Sequence, residues 1–417
     1  MESNVLDLLL RHVGVFVALV IVAKLAWNLW INYVNMAYLR SIDWIMLEII
    51  PPKEVFKSPA AMELVLNFLY GGDATNKYLR YWKGEMSQTY SLEIASIEGK
   101  IHFYIRFHKK FRKGFEAQLY AQYPQAEIRE VPDYTKSVPD FVPGGPISMF
   151  GITMGLAKDD PYPIKSYVDF GLDKAIGSLE EAERIDPITP ILETMGSIGI
   201  GEQLWMQIIL QKESKRHTVG DEGGKSAKDK AREVLKKKKE ELNMVDPETK
   251  KVLSTERATK GHQYVVESIE RHMNKPGFDA GMRIIYVARK ENFNGNTIGA
   301  FTAMFRQFTS EDLNTLKITG ITKPPDEPWK DIGGFKLNKK KKHMLADYKD
   351  REYFYSPFRF DKISRYFTTP EERSEKPMLL STEEIATLWH LPGRVVETPT
   401  VGRIESKKGE PPANLPI

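Results

Sequence analysis

Residues 90–107 read YSLEIASIEGKIHFYIRF. Two strand-like runs flank Glu98-Gly99, a pair suited to a tight turn, so the stretch predicts a β-hairpin. In its second run Ile101, Phe103, Ile105 and Phe107 alternate with His102, Tyr104, Arg106 and His108. That period of two assigns one face to a core and leaves a polar face for solvent or a partner. Upstream, WIMLEII (44–50) reads as a strand stopped by Pro51 and Pro52. Ser58 then caps a helix with Pro59 at its first position, an apolar stripe of Met62, Val65, Leu66 and Leu69, and a stop at Gly71-Gly72. Downstream, Phe111, Phe115, Leu119 and Gln122 recur at helical spacing, Pro124 ends that helix, and AEIREV (126–131) supplies another strand. The order βαββαβ predicts a ferredoxin-like module over residues 41–134.

A second α+β module is expected over 135–320. Its elements are a strand near MFGITMGL (149–156), a helix opened by Asp186-Pro187, strands EQLWMQIIL (202–210) and MRIIYVAR (282–289), and helices KGHQYVVESIERHM (260–273) and NTIGAFTAMFRQF (296–308). Element order alone suggests a diverged copy of the first module. A charged, aromatic-poor insertion, 212–259, interrupts it and reads as an exposed helix with flexible flanks. Residues 321–417 read as a basic and extended connector, in which Ser381 and Glu384 form a capping box for a short helix ended by Pro392-Gly393.

Residues 13–34, VGVFVALVIVAKLAWNLWINYV, are long enough to cross about 30 Å of hydrocarbon. Twelve Leu, Ile, Val and Phe side chains contribute roughly −4 to −7 kcal/mol to insertion, against about +3 for Lys24. Insertion wins, and Lys24 is expected to snorkel rather than mark a polar pathway. A cleaved signal peptide fits less well, because Glu2 and Asp7 stand where positive charge belongs and no small-x-small site follows. Trp27, Trp30, Tyr33 and Tyr38 suit the interfacial belt. Arg11 alone flanks the N-side, whereas Arg40, Lys53 and Lys57 follow, which places the body in the cytoplasm of a single-pass cell-membrane protein.

Composition bounds the chemistry. With 417 residues, 41% hydrophobic and 28% charged, the body is globular and too long for one ordinary domain. A net charge of +4 predicts no general affinity for nucleic acid. The absence of cysteine excludes disulfides, thiolate metal sites and cysteine nucleophiles. GDEGGKS (220–226) is one residue short of a Walker A loop, with Val219 where the first glycine belongs. The histidines lack metal-ligand spacing, and His262, in phase with Val266, Ile269 and Met273, is expected to be a partly buried structural residue. No Ser-centred elbow occurs, and Glu180, Glu181 and Glu183 define no carboxylate pair. No catalytic residue, metal or cofactor is therefore expected. Two contact surfaces are: the sheet face of His102, Tyr104, Arg106 and His108, and the basic run Lys339, Lys340, Lys341 and Lys342, extended by Lys336, His343 and Lys349 and followed by aromatics. Such basic groups suit nucleic acid or anionic lipid headgroups.

SLEIASIEGKIHFYIR, EAQLYAQYPQAEI, GEQLWMQIIL, RIIYVARKENFN and RIESKKGEPPANLP resemble the membrane-anchored N-terminal region that precedes the motor in bacterial ATPases similar to type IV secretion coupling proteins and HerA-like DNA pumps. The resemblance covers most of the chain from about residue 40. The sequence ends at Ile417, about where such a motor would begin, so no ATPase residue carries over. The resemblance implies a non-enzymatic, membrane-anchored docking subunit whose partners are the membrane, an ATPase of that class in trans and further copies of itself.

Overall fold

The hairpin of residues 90–107 forms as expected in the computed structural model, which describes residues 2–52, 57–71, 77–173, 186–212, 227–242, 260–354 and 377–393. The elements run α1 (Glu2–Ser41), β1 (Trp44–Ile50), α2 (Pro59–Tyr70), α3 (Lys77–Trp82), β2 (Thr89–Ile97), β3 (Lys100–His108), α4 (Arg112–Gln122), β4 (Glu127–Glu130) and β5 (Ile147–Leu156). They continue with α5 (Thr189–Gly196), β6 (Glu202–Lys212), α6 (Ala227–Leu242), α7 (Lys260–Asn274), β7 (Gly277–Arg289), α8 (Ile298–Ala303), β8 (Leu316–Ile321), α9 (Phe335–Lys349), β9 (Met378–Ser381) and α10 (Thr382–Leu388). This is a mixed α+β protein with an antiparallel sheet, and the chain divides into two compact units.

The described part of the first unit is α1 with residues 77–88. Among the described residues α1 is the one helix long and apolar enough to cross a membrane, over His12–Ser41. α3, which the sequence reading did not anticipate, packs against it. Gly84 makes the approach possible: its φ is +67°, and a Cβ there would lie 2.1 Å from the Val34 carbonyl oxygen.

Among the described residues the second unit holds one nine-stranded sheet in the order β4-β1-β3-β2-β6-β7-β5-β8, with β9 added to β7. All pairings are antiparallel. The first half supplies βαββαβ with strand order β4-β1-β3-β2, and the second half repeats that order in reverse, as β6-β7-β5-β8. The halves meet where β2 pairs β6 from Thr89↔Gln211 to Ile97↔Gln203, with Glu93↔Gln207 at the middle. Residues expected as separate modules, 41–134 and 135–320, thus share a single sheet.

One sheet face carries Leu92, Ile94, Phe103, Ile105, Leu204, Met206, Met282 and Ile284. Apolar stripes of α2, α4, α5, α8 and α10 complete this core, including Met62, Val65, Phe115, Leu119, Ile191, Leu192, Phe301 and Ile385. α2 starts as its sequence dictates, with the Ser58 hydroxyl accepting from the Ala60 N–H at 3.2 Å. The other face is covered as well: Met344, Leu345 and Tyr348 of α9 pack with Tyr134, Val138 and Phe141 onto Trp205, Ile285 and Val287. The segment 321–417 therefore contributes a covering helix, a ninth strand and a core helix. The helix expected over 296–308 is shorter, α8 flanked by 3-10 turns Gly295–Thr297 and Arg306–Phe308. Residues 220–226 and 403–416 lie outside the described residues.

Candidate docking surface

α9 carries the expected basic run, and the structure shows what holds it. Its inner side is fixed by packing and by a buried ionic lock just beyond its C-terminus. Arg351 donates from Nε to Glu93 Oε1 at 3.0 Å and from Nη2 to Glu93 Oε2 at 3.1 Å, while also pairing with Asp133. The Tyr134 hydroxyl donates to Glu93 Oε2 at 2.8 Å, and Gln207 Nε2 donates to the Tyr348 carbonyl oxygen at 3.1 Å. Burial by itself would raise the Glu93 carboxyl, but the adjacent Arg351 guanidinium holds it below its ordinary value. Lys349 closes the lock by pairing with Asp140 at 2.8 Å.

The N-terminal end of α9 is built differently. Asp331 accepts from the backbone N–H groups of Lys336 (2.9 Å) and Leu337 (2.8 Å), satisfying amides that a helix start leaves without partners. Gly333 and Gly334, at φ +79° and +70°, turn the chain into the helix. The Phe335 ring lies where a Gly333 side chain would be, 2.8 Å from its Cβ position. This braced turn leaves Trp329, Ile332 and Phe335 exposed at 72%, 79% and 78%. Three large apolar side chains are thus exposed within seven residues beside the start of α9. Lys336, Lys339, Lys340 and Lys342 are exposed alongside. Lys341 differs: it is half-buried with its ammonium 5.7 Å from the Phe141 ring centre, and burial lowers its pKa.

On the other expected surface Tyr104 is buried, while His102, Arg106 and His108 are half-buried. Tyr104 is buried, stacked between the rings of His102 at 5.7 Å and Tyr134 at 4.9 Å. His102 Nδ1 lies 2.6 Å from Glu48 Oε1. Half-buried Arg106 sits 4.4 Å over the Trp44 ring, and burial followed by the charge of Arg351 draws its pKa down to about 10. His108 Nδ1 accepts from the Lys110 N–H at 3.3 Å. The polar alternation is real, but Tyr134 arrives from elsewhere in the chain to cover Tyr104, in a cluster that also takes in Met344, Leu345 and Tyr348 of α9.

α7 also departs from expectation. Its buried stripe is Val265, Ser268, Ile269 and His272, so the buried histidine is His272, not His262, which stands exposed in the first turn. His262 lines an open concavity of about 620 Å³ with Lys158, Asp159, Tyr162 and Asp312. His272 Nδ1 lies 2.7 Å from Glu384 Oε2. Around it, Arg271 pairs with Asp169 and Glu383 at 3.0 Å each, and Lys275 pairs with Glu63 and Glu383 at 2.8 Å each. Glu384 completes the capping box foreseen with Ser381. The pairs join α7, α10, α2 and the 160–170 loop, so their chemistry is cross-bracing. Among the described residues no group of three or more histidines or carboxylates is placed to hold a metal.

Neither Glu93 nor Arg351 stood out in the sequence, because nothing local marks a glutamate on a strand as buried. Asp331 followed by Gly333-Gly334 and a lysine-rich run was a legible helix start, and it could have directed attention to Trp329, Ile332 and Phe335.

The model of a family defined by a domain of unknown function, DUF8128, matches residues 43–403. The chain belongs to this family. Its DUF8128 region begins beside β1 and takes in the sheet, both ionic clusters and the whole of α9. No curated protein matches the sequence.

Proposed function

We propose that this DUF8128 protein is a non-enzymatic, single-pass membrane-anchored docking subunit with its body in the cytoplasm, serving an ATPase similar to type IV secretion coupling proteins or HerA-like pumps. In this reading each half of the sheet is a ferredoxin-like module, the two joined through β2 and β6. The observation that carries it is the exposed apolar triad Trp329, Ile332 and Phe335, held on a capped turn at the head of a helix locked to the sheet. Preorganisation lowers the entropy lost on association, and aromatic anchors dominate interface energetics. The class of partner rests on the sequence resemblance, of whose five strings the first four fall on β2, β3, α4, β4, β6 and β7.

The test is to purify the tagged chain from native membranes in mild detergent and identify co-purifying proteins at fixed stoichiometry by mass spectrometry. An ATPase of that class, lost from a Trp329→Ser/Ile332→Ser/Phe335→Ser variant that keeps its circular dichroism and melting temperature, supports the proposal. Retention by that variant, or ATP hydrolysis by the chain alone, overturns it. A second reading, binding of nucleic acid or anionic lipid, is favoured by the exposure of Lys339, Lys340 and Lys342. It requires salt-sensitive binding that charge reversal of these lysines abolishes.

A further inference from the structure

The first unit gathers aromatic side chains at one level of α1. Trp30 Nε1 donates to the Tyr81 carbonyl oxygen at 3.1 Å, and the Trp27–Tyr81 and Trp30–Trp82 rings lie 5.9 and 5.8 Å apart. Gln88 Nε2 donates to the Tyr38 hydroxyl at 3.0 Å, closing the returning segment on the helix. The rings are nevertheless wet: Tyr33, Tyr78, Trp82 and Trp27 are exposed at 69%, 60%, 56% and 47%. Arg80 and Lys83 are exposed among them. Three of the six residues of α3, KYLRYW, are large aromatics, and among the described residues Tyr78 and Trp82 belong to no buried apolar cluster.

Counting along α1 at 1.5 Å per residue, about 30 Å of hydrocarbon is filled by some 20 residues. A span beginning near Val13 therefore reaches the far boundary near residues 30–34, the level at which α3 and Gly84 meet the helix. Rings with a polar edge, beside arginine and lysine, are the side chains that settle at a bilayer interface.

We propose that residues 77–83 form a second membrane contact, an interfacial segment lying in the headgroup layer where α1 leaves the bilayer, with Tyr78 and Trp82 at the glycerol level and Arg80 and Lys83 toward lipid phosphates. The proposal rests on the membrane-anchor reading of α1. The bilayer is favoured over a protein partner by continuity: the exposed rings of α3 directly adjoin those of α1, whose apolar side chains Phe16, Leu19 and Val22 are themselves 60% exposed or more.

The chain has no cysteine, so single probes can be placed cleanly. Tyr78→Cys, Trp82→Cys and Ile21→Cys, each carrying an environment-sensitive nitrobenzoxadiazole label, are reconstituted as the full chain into phosphatidylcholine–phosphatidylglycerol vesicles. Lipids bearing a nitroxide at the headgroup or at mid-chain then serve as depth-graded quenchers. Labels at 78 and 82 should show blue-shifted emission and stronger quenching from the headgroup nitroxide, while the label at 21 should show the reverse order. If the label at 21 is quenched and those at 78 and 82 are not, the interfacial contact is wrong and the anchor stands. If the label at 21 also escapes quenching, the anchor itself is wrong and the proposal falls with it. Among the described residues Tyr78 makes no ring contact with α1, so its variant reports depth even if replacing Trp82 loosens the packing on Trp30.

Discussion

Arg351→Met should be among the most damaging single substitutions in the second unit. It leaves Glu93 fully buried and still hydrogen-bonded by Ser91 and Tyr134, but without its counter-charge. A buried carboxylate with no cation takes a proton instead. Relative to an ordinary value of 4.5, neutralising it at pH 7 costs about 1.4 kcal/mol per pH unit, or roughly 3 kcal/mol in all. This agrees with the 3–5 kcal/mol typical of breaking one side of a buried pair. At roughly 2 °C per kcal/mol for a large domain, the melting temperature of the detergent-solubilised chain should fall by about 6–10 °C at pH 7. The penalty has a signature that simple loss of packing lacks. At pH 5 the protonation cost drops below about 1 kcal/mol, so the gap between variant and parent should shrink by more than half. Adding Glu93→Gln should recover much of the loss at pH 7, since the amide keeps hydrogen-bonding capacity without a buried charge. Thermal melts by circular dichroism of the parent and both variants at the two pH values decide the matter. A loss that is the same at pH 5 and pH 7, or a double variant no better than the single one, would refute the buried-charge argument.

The lock and the brace also predict smaller effects. Burial lowers the pKa of His272, but the Glu384 carboxylate outweighs it and raises the ring above its ordinary 6.5. Its stabilisation is therefore fully present below pH 6.5 and is lost as pH rises through the elevated folded value. Melting temperature should decline over that alkaline window in the parent, and His272→Gln should flatten the decline. Asp331→Ala removes both acceptors at the start of α9 and should cost about 1 kcal/mol, with faster amide hydrogen exchange at Lys336 and Leu337. Replacing Lys339, Lys340 and Lys342 together by glutamate should change stability by less than about 0.5 kcal/mol per site. The docking reading expects partner stoichiometry to survive that change, measured by quantitative mass spectrometry.

Several elements were legible because their signals are local. The hairpin of β2 and β3 follows from period-two alternation around Glu98-Gly99, and both residues take positive φ there, 52° and 84°. α2 follows from its cap, proline and stripe, α10 from the Ser381–Glu384 box, and α1 from an apolar run that water disfavours. The basic run of α9 was visible too, as composition. What escaped depends on partners far away in the chain. His102, Tyr104 and Arg106 alternate like a wet sheet face, yet Tyr104 is roofed by Tyr134 and neighboured by α9. Nothing near Glu93 in the sequence marks it as buried, yet Arg351, 258 positions away, completes its charge balance. Residues after 320 lacked a periodic core of their own because β9 and α10 finish a core begun by other segments. By itself the sequence determined where the chain turns, which helices start and stop, and that its N-terminal helix suits lipid. Only tertiary structure decided that two similar halves merge through β2 and β6 into one sheet, which polar residues lie dry, and which apolar ones stay exposed at the head of α9. Turns and caps are set by interactions within a few residues, whereas burial is settled by whatever arrives across the fold.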